Sequence, residues 1–532
     1  MKKPGVLKKG KVILIITFSL VIYTVSMGYT AGLAQRKSLV FGVDSQITTL
    51  DPHLAVDKSS RQVCKAIYQT LVRYLPERKE IEPCLATSWE TEKQNKEWVF
   101  HLRKGIKFHD GTSFNAESVA FSFERQLNSD HPFYEENCYY GRYIFGSVID
   151  KIQVVDEYTV KFTLKTSYSP FIYALTTPAA MIVNQEAVKK YGDNFSRHPS
   201  GTGPFKLLTW EKNNDVVLER NEDYWEEKPS LSLITFCPIP DKSQRIKALL
   251  NGEIQITQLE DLSTIPQVIS AVLLTDRVKS VKNLSLDIAY LALNMRKTPL
   301  NSLKMREALC KAIDREKLKE RLYPEKVVAY NLIPPNLWGY NPDVQKYSYS
   351  PEKARELLEK IKPKVSTLNL WIPDTSTSYL PEPGKIAEEI KNDLAKIGIE
   401  VQIVMKDWRS YLEGCEIGEH DMALTGWEAD FPDPDNFLYP LLGSQTLNQP
   451  GNANWSFYQS RFFQEILERA RQVTDSVERT RLYQVAQKIV QQDIPCIPLF
   501  HTQKITVFSP PIEKVSVDYA GMVEFEKIEI TE

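Results

Sequence analysis

The stretch "LATSWETEKQNKEWVFHLRKGIKFHDGTSFNAESVAFSFER", Leu85–Arg125, changes from the repeat of a β-strand to the repeat of an α-helix. "WVFHL" has apolar residues at every second position, and the pair "DG" is a turn signal, so "WVFHLRKGIKFHDG" predicts a β-hairpin. Asn115 is a favourable N-cap, and Val119, Phe123 and Leu127 recur along one side of the helix that follows. This change of repeat is typical of chains that mix strands and helices.

Strand and helix patterns alternate along the rest of the chain. "SLVFGVDS" and "IAYLALNM" predict strands, while "SLKMREALCKAIDREKL" predicts one long helix. "SPEKARELLEKI" predicts another helix, with Ser350 as its N-cap and Pro351 in its first turn. The glycines of "SGTGPFKLLTW" indicate close backbone approaches. The fold class is therefore α/β, and 532 residues are enough for two or three lobes.

The first residues have the pattern of an export signal. Five lysines precede the apolar run "VILIITFSLVIYTVSMGY", and the small residues "AGLA" follow it. This predicts a signal peptide over residues 1–34, cut after Ala34, although the run is also long enough for an uncleaved membrane anchor. The first cysteine is Cys64, far from the predicted cut, which favours a free periplasmic protein over a lipoprotein.

Composition and motifs exclude several classes of function. The formal net charge is −2, and no basic tract follows the leader, so nucleic acid is not an expected partner. Seven cysteines are scattered without a CxxC pair, which indicates neither a disulfide scaffold nor a zinc site. The chain has no G-x-S-x-G, Walker A or H-E-x-x-H motif. We therefore expect no cofactor, no metal and no catalytic residues.

A second stretch, "GWEADFPDPDNF" (Gly426–Phe437), carries four carboxylates and no lysine or arginine. It is compatible with a surface turn, a site for a cation or metal, or an acid/base pair. "DPDN" favours a turn that caps a helix entered at Phe437, so we assign Asp433 and Asp435 to structure. A glycosidase-like pair would need another carboxylate facing this run.

Several long motifs, in the same order, resemble one family. The first stretch, "GTGPF", "LALNMRKTPLNSLKMREAL", "NLIPPNLWGYNPDVQKYSYSPEKARELLEK" and "GEHDMALTGWEADFPDPDNF" are similar to the solute-binding proteins of peptide and nickel ABC importers. These are the bacterial extracellular solute-binding proteins of family 5, and the last two motifs resemble the dipeptide-binding branch most closely. The resemblance covers essentially the whole chain after the leader.

This resemblance implies a two-lobed periplasmic-binding-protein fold of type II, with an extra domain inserted in the first lobe. The lobes would close over a peptide, and the closed form, a monomer, would dock on a membrane permease. The chain would cross between lobes near Ala289–Leu293 and Leu499–Thr502. The implied domains are residues 36–74, 200–288 and 500–532 for the first lobe, 75–199 for the insert and 289–499 for the second lobe.

The resemblance also implies a binding site within "GWEAD". Asp430 would receive the ammonium group of the peptide, since a buried ammonium needs a carboxylate partner. Gly426 and Glu428 would offer backbone groups to an extended ligand. Trp427 would form the wall of a side-chain pocket, although an ordinary core tryptophan is an alternative.

One position departs from the dipeptide-binding pattern. Relatives in that branch hold the ligand carboxylate with an arginine, and Thr377 stands at that position here. The segment "WIPDTSTSYLPEPGK" contains no arginine, and a threonine cannot form a bidentate charged contact. Either another residue serves, for which Lys58 is a candidate, or the ligand is longer than a dipeptide.

Three functions follow as competing hypotheses. The first is the peptide-binding component of an importer, for dipeptides to oligopeptides. The second is capture of a nickel chelate, haem or another non-peptide solute on the same fold. The third is a hydrolase that uses Asp430 with a partner acid.

Overall fold

The computed structural model describes residues 37–210, 215–259, 278–362, 367–449 and 451–531, so the predicted leader lies outside the described residues. The strands, in chain order, are β1 (Ser38–Val43), β2 (Val72–Leu75), β3 (Glu80–Pro83), β4 (Ala86–Glu92), β5 (Glu97–Leu102), β6 (Ile149–Asp156), β7 (Thr159–Leu164), β8 (Phe205–Trp210), β9 (Val216–Arg220), β10 (Leu233–Pro238), β11 (Ile256–Leu259), β12 (Lys279–Leu284), β13 (Asp287–Leu293), β14 (Val327–Val328), β15 (Thr367–Pro373), β16 (Glu400–Lys406), β17 (Met422–Glu428), β18 (Cys496–His501), β19 (Gln503–Phe508), β20 (Ile512–Lys514) and β21 (Glu529–Ile530).

Helices lie between and around these strands. They are α1 (Lys58–Ile67), α2 (Ala116–Leu127), α3 (Tyr139–Phe145), α4 (Phe171–Ala174), α5 (Gln185–Tyr191), α6 (Lys242–Asn251), α7 (Leu303–Ala312), α8 (Arg315–Leu322), α9 (Pro351–Leu358), α10 (Pro383–Ala395), α11 (Trp408–Ile417), α12 (Asp435–Leu442), α13 (Arg461–Gln472) and α14 (Ser476–Asp493). Short 3₁₀ helices cover Pro178–Ala180, Gly192–Arg197, Ser444–Asn448 and Phe525–Lys527. Among the described helices, none combines the length and apolar character needed to cross a bilayer.

Two large mixed sheets form the framework. The first has seven strands in the order β12-β19-β11-β1-β10-β9-β8, with β1 parallel to both of its neighbours. The second has six strands in the order β14-β18-β13-β17-β15-β16. Its central strand β13 is buried at every residue, as expected for a strand covered on both faces.

A separate four-stranded antiparallel sheet, in the order β4-β5-β7-β6, contains the two strands of the stretch Leu85–Arg125. The predicted hairpin is wrong: β5 pairs with β4 and β7, and after it only an isolated bridge joins Lys107 to Ser113. The periodicity of "WVFHL" identifies a strand but does not select its partner. The predicted helix is confirmed as α2, where the Asn115 side chain accepts a hydrogen bond from the Ser118 N–H.

Other predicted elements are confirmed with small changes. β1, β13 and α9 occur where predicted, and Ser350 caps α9. The long predicted helix is two helices, α7 and α8, because the chain is extended at Ile313 and Asp314 caps a new start. The expected close approach at the glycine-rich turn is also present. A Cβ atom on Gly201 would lie 2.1 Å from the Ile67 carbonyl oxygen.

The chain passes between the two large sheets at two adjacent points. Ser285 and Leu286 join β12 to β13, and Thr502 alone joins β18 to β19. The Ser285 N–H donates to the Thr502 carbonyl at 3.0 Å, and the Thr502 N–H donates to the Asp287 carboxylate at 2.8 Å. The first crossing therefore comes before the predicted segment Ala289–Leu293, which lies entirely within β13.

Candidate ligand-binding site

A cavity of about 420 Å³ lies between the seven-stranded sheet and the segment that follows β17. β1, α1, β19 and the C-terminal segment 518–526 contribute to one side, and residues 428–430 contribute to the other. Tyr140 of α3 also lines it. This volume is within the range of sites for small organic ligands.

The end of β17 brings the acidic stretch to this cavity. β17 runs between β13 and β15 and is buried as far as Gly426, after which Trp427 is half-buried and Glu428 is exposed. The Ala429 N–H donates to the Leu286 carbonyl at 2.8 Å, so pairing with the neighbouring chain continues past the strand. The strand ends at Glu428, and Glu428, Ala429 and Asp430 all line the cavity.

Asp430 is a half-buried carboxylate in the cavity wall. Burial raises its pKa to about 6, although the Tyr140 hydroxyl and the positive charge of Arg61 act in the opposite direction. Its backbone N–H donates to the Asn436 side chain at 2.8 Å, which holds the segment in place. No salt bridge to Asp430 is found within the described part of the chain. The carboxylate can therefore accept a cation from the cavity.

Glu428 has positive partners on the opposite side of the cavity. Its carboxylate lies 3.5 Å from the Lys504 ammonium of β19 and accepts a hydrogen bond from the Ser378 hydroxyl at 3.2 Å. Although desolvation opposes it, the charges of Lys504 and Lys58 lower the pKa of Glu428. The carboxylate, and not only the backbone named in the sequence-based prediction, thus faces the cavity.

Gly426 and Trp427 lie behind the cavity wall and are not among its lining residues. Trp427 packs against the hydrophobic core, and its buried indole N–H has no hydrogen-bond partner among the described residues. Gly426 lies against the Tyr379 ring, where a Cβ atom would be 2.2 Å from the ring and 2.6 Å from the Ile288 carbonyl oxygen. Gly426 therefore permits the close packing that supports the end of β17.

Replacement of Gly426 by alanine is expected to destabilise the protein by about 1–3 kcal/mol, because the added methyl group overlaps the Ile288 carbonyl oxygen, which a rotamer change cannot move. Gly384→Ala is the matched control, since its nearest atom would be the Met405 methyl carbon at 4.0 Å. Thermal unfolding of both variants measures the difference. Equal melting temperatures would contradict this account of Gly426.

The two residues considered for the ligand carboxylate occupy different places. Thr377 closes a tight turn, in which its backbone N–H and carbonyl pair with Leu380 at 3.0 and 3.2 Å, and it does not line the cavity. Lys58 begins α1 and does line the cavity. The structure thus brings Asp430, Glu428 and Lys58 together and leaves Gly426, Trp427 and Thr377 in supporting positions.

Sequence reasoning missed several charged and aromatic residues of the cavity. Arg61 lies one helical turn after Lys58, with its guanidinium carbon 4.8 Å from the centre of the Tyr140 ring. Lys504 and Tyr519 reach the cavity from the C-terminal part of the chain. The helical spacing of Lys58 and Arg61 was the one local signal for any of them.

The later acids of the stretch are buried in ion pairs outside the cavity. Asp433 is fully buried and lies 2.9 Å from Arg479, and Asp435 lies 3.4 Å from Arg471. Asp433 also accepts a hydrogen bond from the Asp435 N–H at 2.9 Å, as the predicted turn requires. The helix begins at Asp435, two residues before the predicted position, and the predicted side-chain cap is absent, because Pro434 occupies the N-cap position. Within the described chain, no group of three or more potential ligands is arranged to hold a metal ion.

Comparisons with known proteins identify relatives of this chain. The model of bacterial extracellular solute-binding proteins, family 5 (middle), matches residues 80–449. A dipeptide-binding protein of Escherichia coli K12 is 32% identical over 100% of this chain and 99% of its own. Heme-binding protein A of Haemophilus influenzae is 32% identical, and the match covers 87% of this chain and 86% of that protein. The periplasmic binding protein DppA from Helicobacter pylori, whose structure was solved in complex with the peptide STSA, is 32% identical in sequence. Its structure superimposes with a TM-score of 0.71 and covers 93% of this chain and 100% of its own.

Proposed function

The chain belongs to the bacterial extracellular solute-binding proteins of family 5, and we therefore propose that it captures short peptides, from dipeptides to oligopeptides, for an ABC importer. Its fold is that of the two-lobed type II periplasmic binding proteins. Members of this family bind solutes and are not enzymes.

The observation that carries the proposal is the Asp430 carboxylate, half-buried at the cavity and without a salt bridge among the described residues. A peptide ammonium group would provide the missing positive charge and additional hydrogen-bond donors. Glu428, at the end of β17, would offer backbone groups to a ligand lying along the strand.

Closure of two lobes over the ligand is part of the same proposal. We assign residues 36–74, 200–288 and 500–532 to the first lobe, 75–199 to the insert and 289–499 to the second lobe. Support comes from the strands, since those of each sheet fall almost entirely within one of these units. The paired connections through Ser285 and Thr502 would serve as the hinge.

The cellular arrangement follows from the family. Residues 1–34 would direct export to the periplasm, where the protein would act as a monomer and deliver its ligand to the permease subunits of the importer. The lysine-rich start and the apolar run that follows support this assignment.

The ligand class can be tested with the protein as it is isolated. After purification under native conditions, the protein is denatured and the released small molecules are identified by mass spectrometry. We expect a mixture of peptides, and less of it from Asp430→Asn purified in parallel. A metal complex or one non-peptide solute in stoichiometric amount would overturn the proposal.

Haem is the second candidate, because a relative that matches 87% of this chain is named for binding it. None of the described residues that line the cavity is a histidine, the commonest protein ligand of haem iron in oxygen-binding and peroxidase proteins. Absorption spectra of the protein titrated with haem test this candidate directly. A Soret shift that saturates at one equivalent and is abolished by peptide would support it.

Peptide affinity should decrease as the pH falls from 7 to 5. The pKa of Asp430 is raised to about 6 in the free protein, so its carboxylate is mainly ionised at pH 7 and mainly protonated at pH 5. A peptide ammonium stays charged in this range, and the expected loss is about tenfold. Calorimetric titrations at pH 7, 6 and 5 measure it. A profile that is equally steep in Asp430→Asn would assign the dependence to another group.

A further inference from the structure

Two neighbouring carboxylates of the cavity wall differ in their charged surroundings. Asp430 has no salt bridge among the described residues, although the positive charge of Arg61 acts on it. Glu428 lies 3.5 Å from the Lys504 ammonium, and the charge of Lys58 also acts on it, so Lys504 and Lys58 form a positive region of the cavity. Glu428 and Asp430 are two residues apart, so their Cα atoms are separated by at most about 7 Å. The cavity thus presents the Asp430 carboxylate and the positive region a short distance apart along its wall.

The positive region has capacity for a second carboxylate. The Lys504 ammonium donates to the Ala520 carbonyl at 2.5 Å, while its distance to Glu428, 3.5 Å, is long for a hydrogen bond. An ammonium group has three donors, so one donor direction remains for another acceptor.

We propose that Lys504, together with Lys58, binds the terminal carboxylate of a dipeptide whose ammonium group is bound by Asp430. This inference rests on the proposed peptide-binding function and names its ligand class. The charged ends of an extended dipeptide are about two residues, or roughly 7 Å, apart. A single amino acid is too short to reach both regions, and a tetrapeptide places its carboxylate about two residues beyond Lys504.

Lys504 thereby replaces the guanidinium that the loop around Thr377 lacks. It comes from β19, next to the Thr502 connection, whereas Asp430 follows β17 of the other large sheet. A dipeptide bound at both ends would connect the two sheets through its own charges. The preferred length of the ligand and the closure of the two lobes would then both depend on the contacts made by Asp430 and Lys504.

The test compares free dipeptides with their C-terminal amides. Wild-type protein, stripped of ligand by denaturation and refolding, is incubated with a synthetic mixture of Ala-X dipeptides, with the same mixture as amides, or with a mixture of tetrapeptides. Desalting followed by mass spectrometry quantifies what is retained, and calorimetry on the best-retained member gives its Kd. We expect the free acid to bind at least tenfold more tightly than the amide in wild-type protein.

In Lys504→Met the ratio of the amide Kd to the free-acid Kd should fall at least fivefold. The free acid loses the ammonium partner of its carboxylate, whereas the amide has no carboxylate and loses little. Lys282→Met, on the neighbouring strand and outside the cavity, is the control and should keep the wild-type preference. Glu428→Gln should keep or increase it, since a competing carboxylate is removed. The proposal is overturned if Lys504→Met keeps the full preference, which would point to Arg61 instead.

Equal weakening of acid and amide by both Lys504→Met and Glu428→Gln would also overturn it, because that result describes a simple ion pair between the sheets. Failure of wild-type protein to retain any dipeptide or tetrapeptide would refute the peptide-binding function itself. Retention of tetrapeptides alone would keep that function and refute only the assignment of Lys504.

Discussion

Asp430→Asn is expected to weaken peptide binding by about 2–5 kcal/mol, which corresponds to a loss in affinity of about 30-fold to several thousand-fold. Asparagine keeps the shape of the side chain but removes the negative charge that a bound ammonium requires. The carboxylate lies at the cavity, and no salt bridge within the described chain competes for it. Calorimetry with the peptides released from the native protein provides the measurement.

Two comparisons separate this effect from a general loss of structure. Asp223→Asn changes an exposed acid outside the cavity and should leave affinity unchanged. N-acetylation of the peptide should weaken binding to wild-type protein strongly but have little further effect on Asp430→Asn. If acetylation remains equally harmful in the variant, the ammonium group binds elsewhere.

Arg479→Met is expected to lower the free energy of unfolding by about 3–5 kcal/mol, the range for removal of one partner of a buried ion pair. Arg479 and Asp433 are 3% and 0% exposed, and the guanidinium lies 2.9 and 3.1 Å from the two carboxylate oxygens. Methionine fills much of the same volume but leaves Asp433 as an uncompensated buried charge. Thermal and guanidinium unfolding, followed by circular dichroism, measure the loss.

A surface arginine provides the control for this prediction. Arg469 pairs with Glu478 at 3.0 Å but is 60% exposed, so Arg469→Met should change stability by no more than about 1 kcal/mol. Adding Asp433→Asn to Arg479→Met should restore part of the lost stability. Asparagine removes the stranded charge and keeps an acceptor for the Asp435 N–H. No recovery in the double variant would mean that packing, and not charge, explains the loss.

The four acids of "GWEADFPDPDNF" illustrate what local sequence can predict. Neighbouring residues predict that Asp430 has a role separate from that of the later acids, and Asp430 lines the cavity. They also predict a turn at "DPDN", where the Asp433 side chain accepts a hydrogen bond from the Asp435 N–H. Ion pairing could not be predicted, because Arg479 is 46 residues from Asp433 and Lys504 is 76 residues from Glu428. Sequence reasoning therefore identified the acids but not their partners.

Strand pairing shows the same limit. Alternation in "WVFHL" correctly identifies β5, but its partners β4 and β7 are chosen by the hydrophobic face that they bury together. A nearby turn signal suggested a hairpin with the following residues, and that prediction was wrong.

The sequence by itself determined the α/β class and the family, because these depend on periodicity and the order of motifs. Of its candidate site residues, Asp430, Glu428 and Lys58 line the cavity. Only the tertiary structure decided which acid faces the cavity and which acids are neutralised in the core. It also placed Arg61, Tyr140 and Lys504 around the cavity. The physical reason is that burial and charge pairing depend on distances between segments far apart in the chain, and these distances exist only after the sheets have formed.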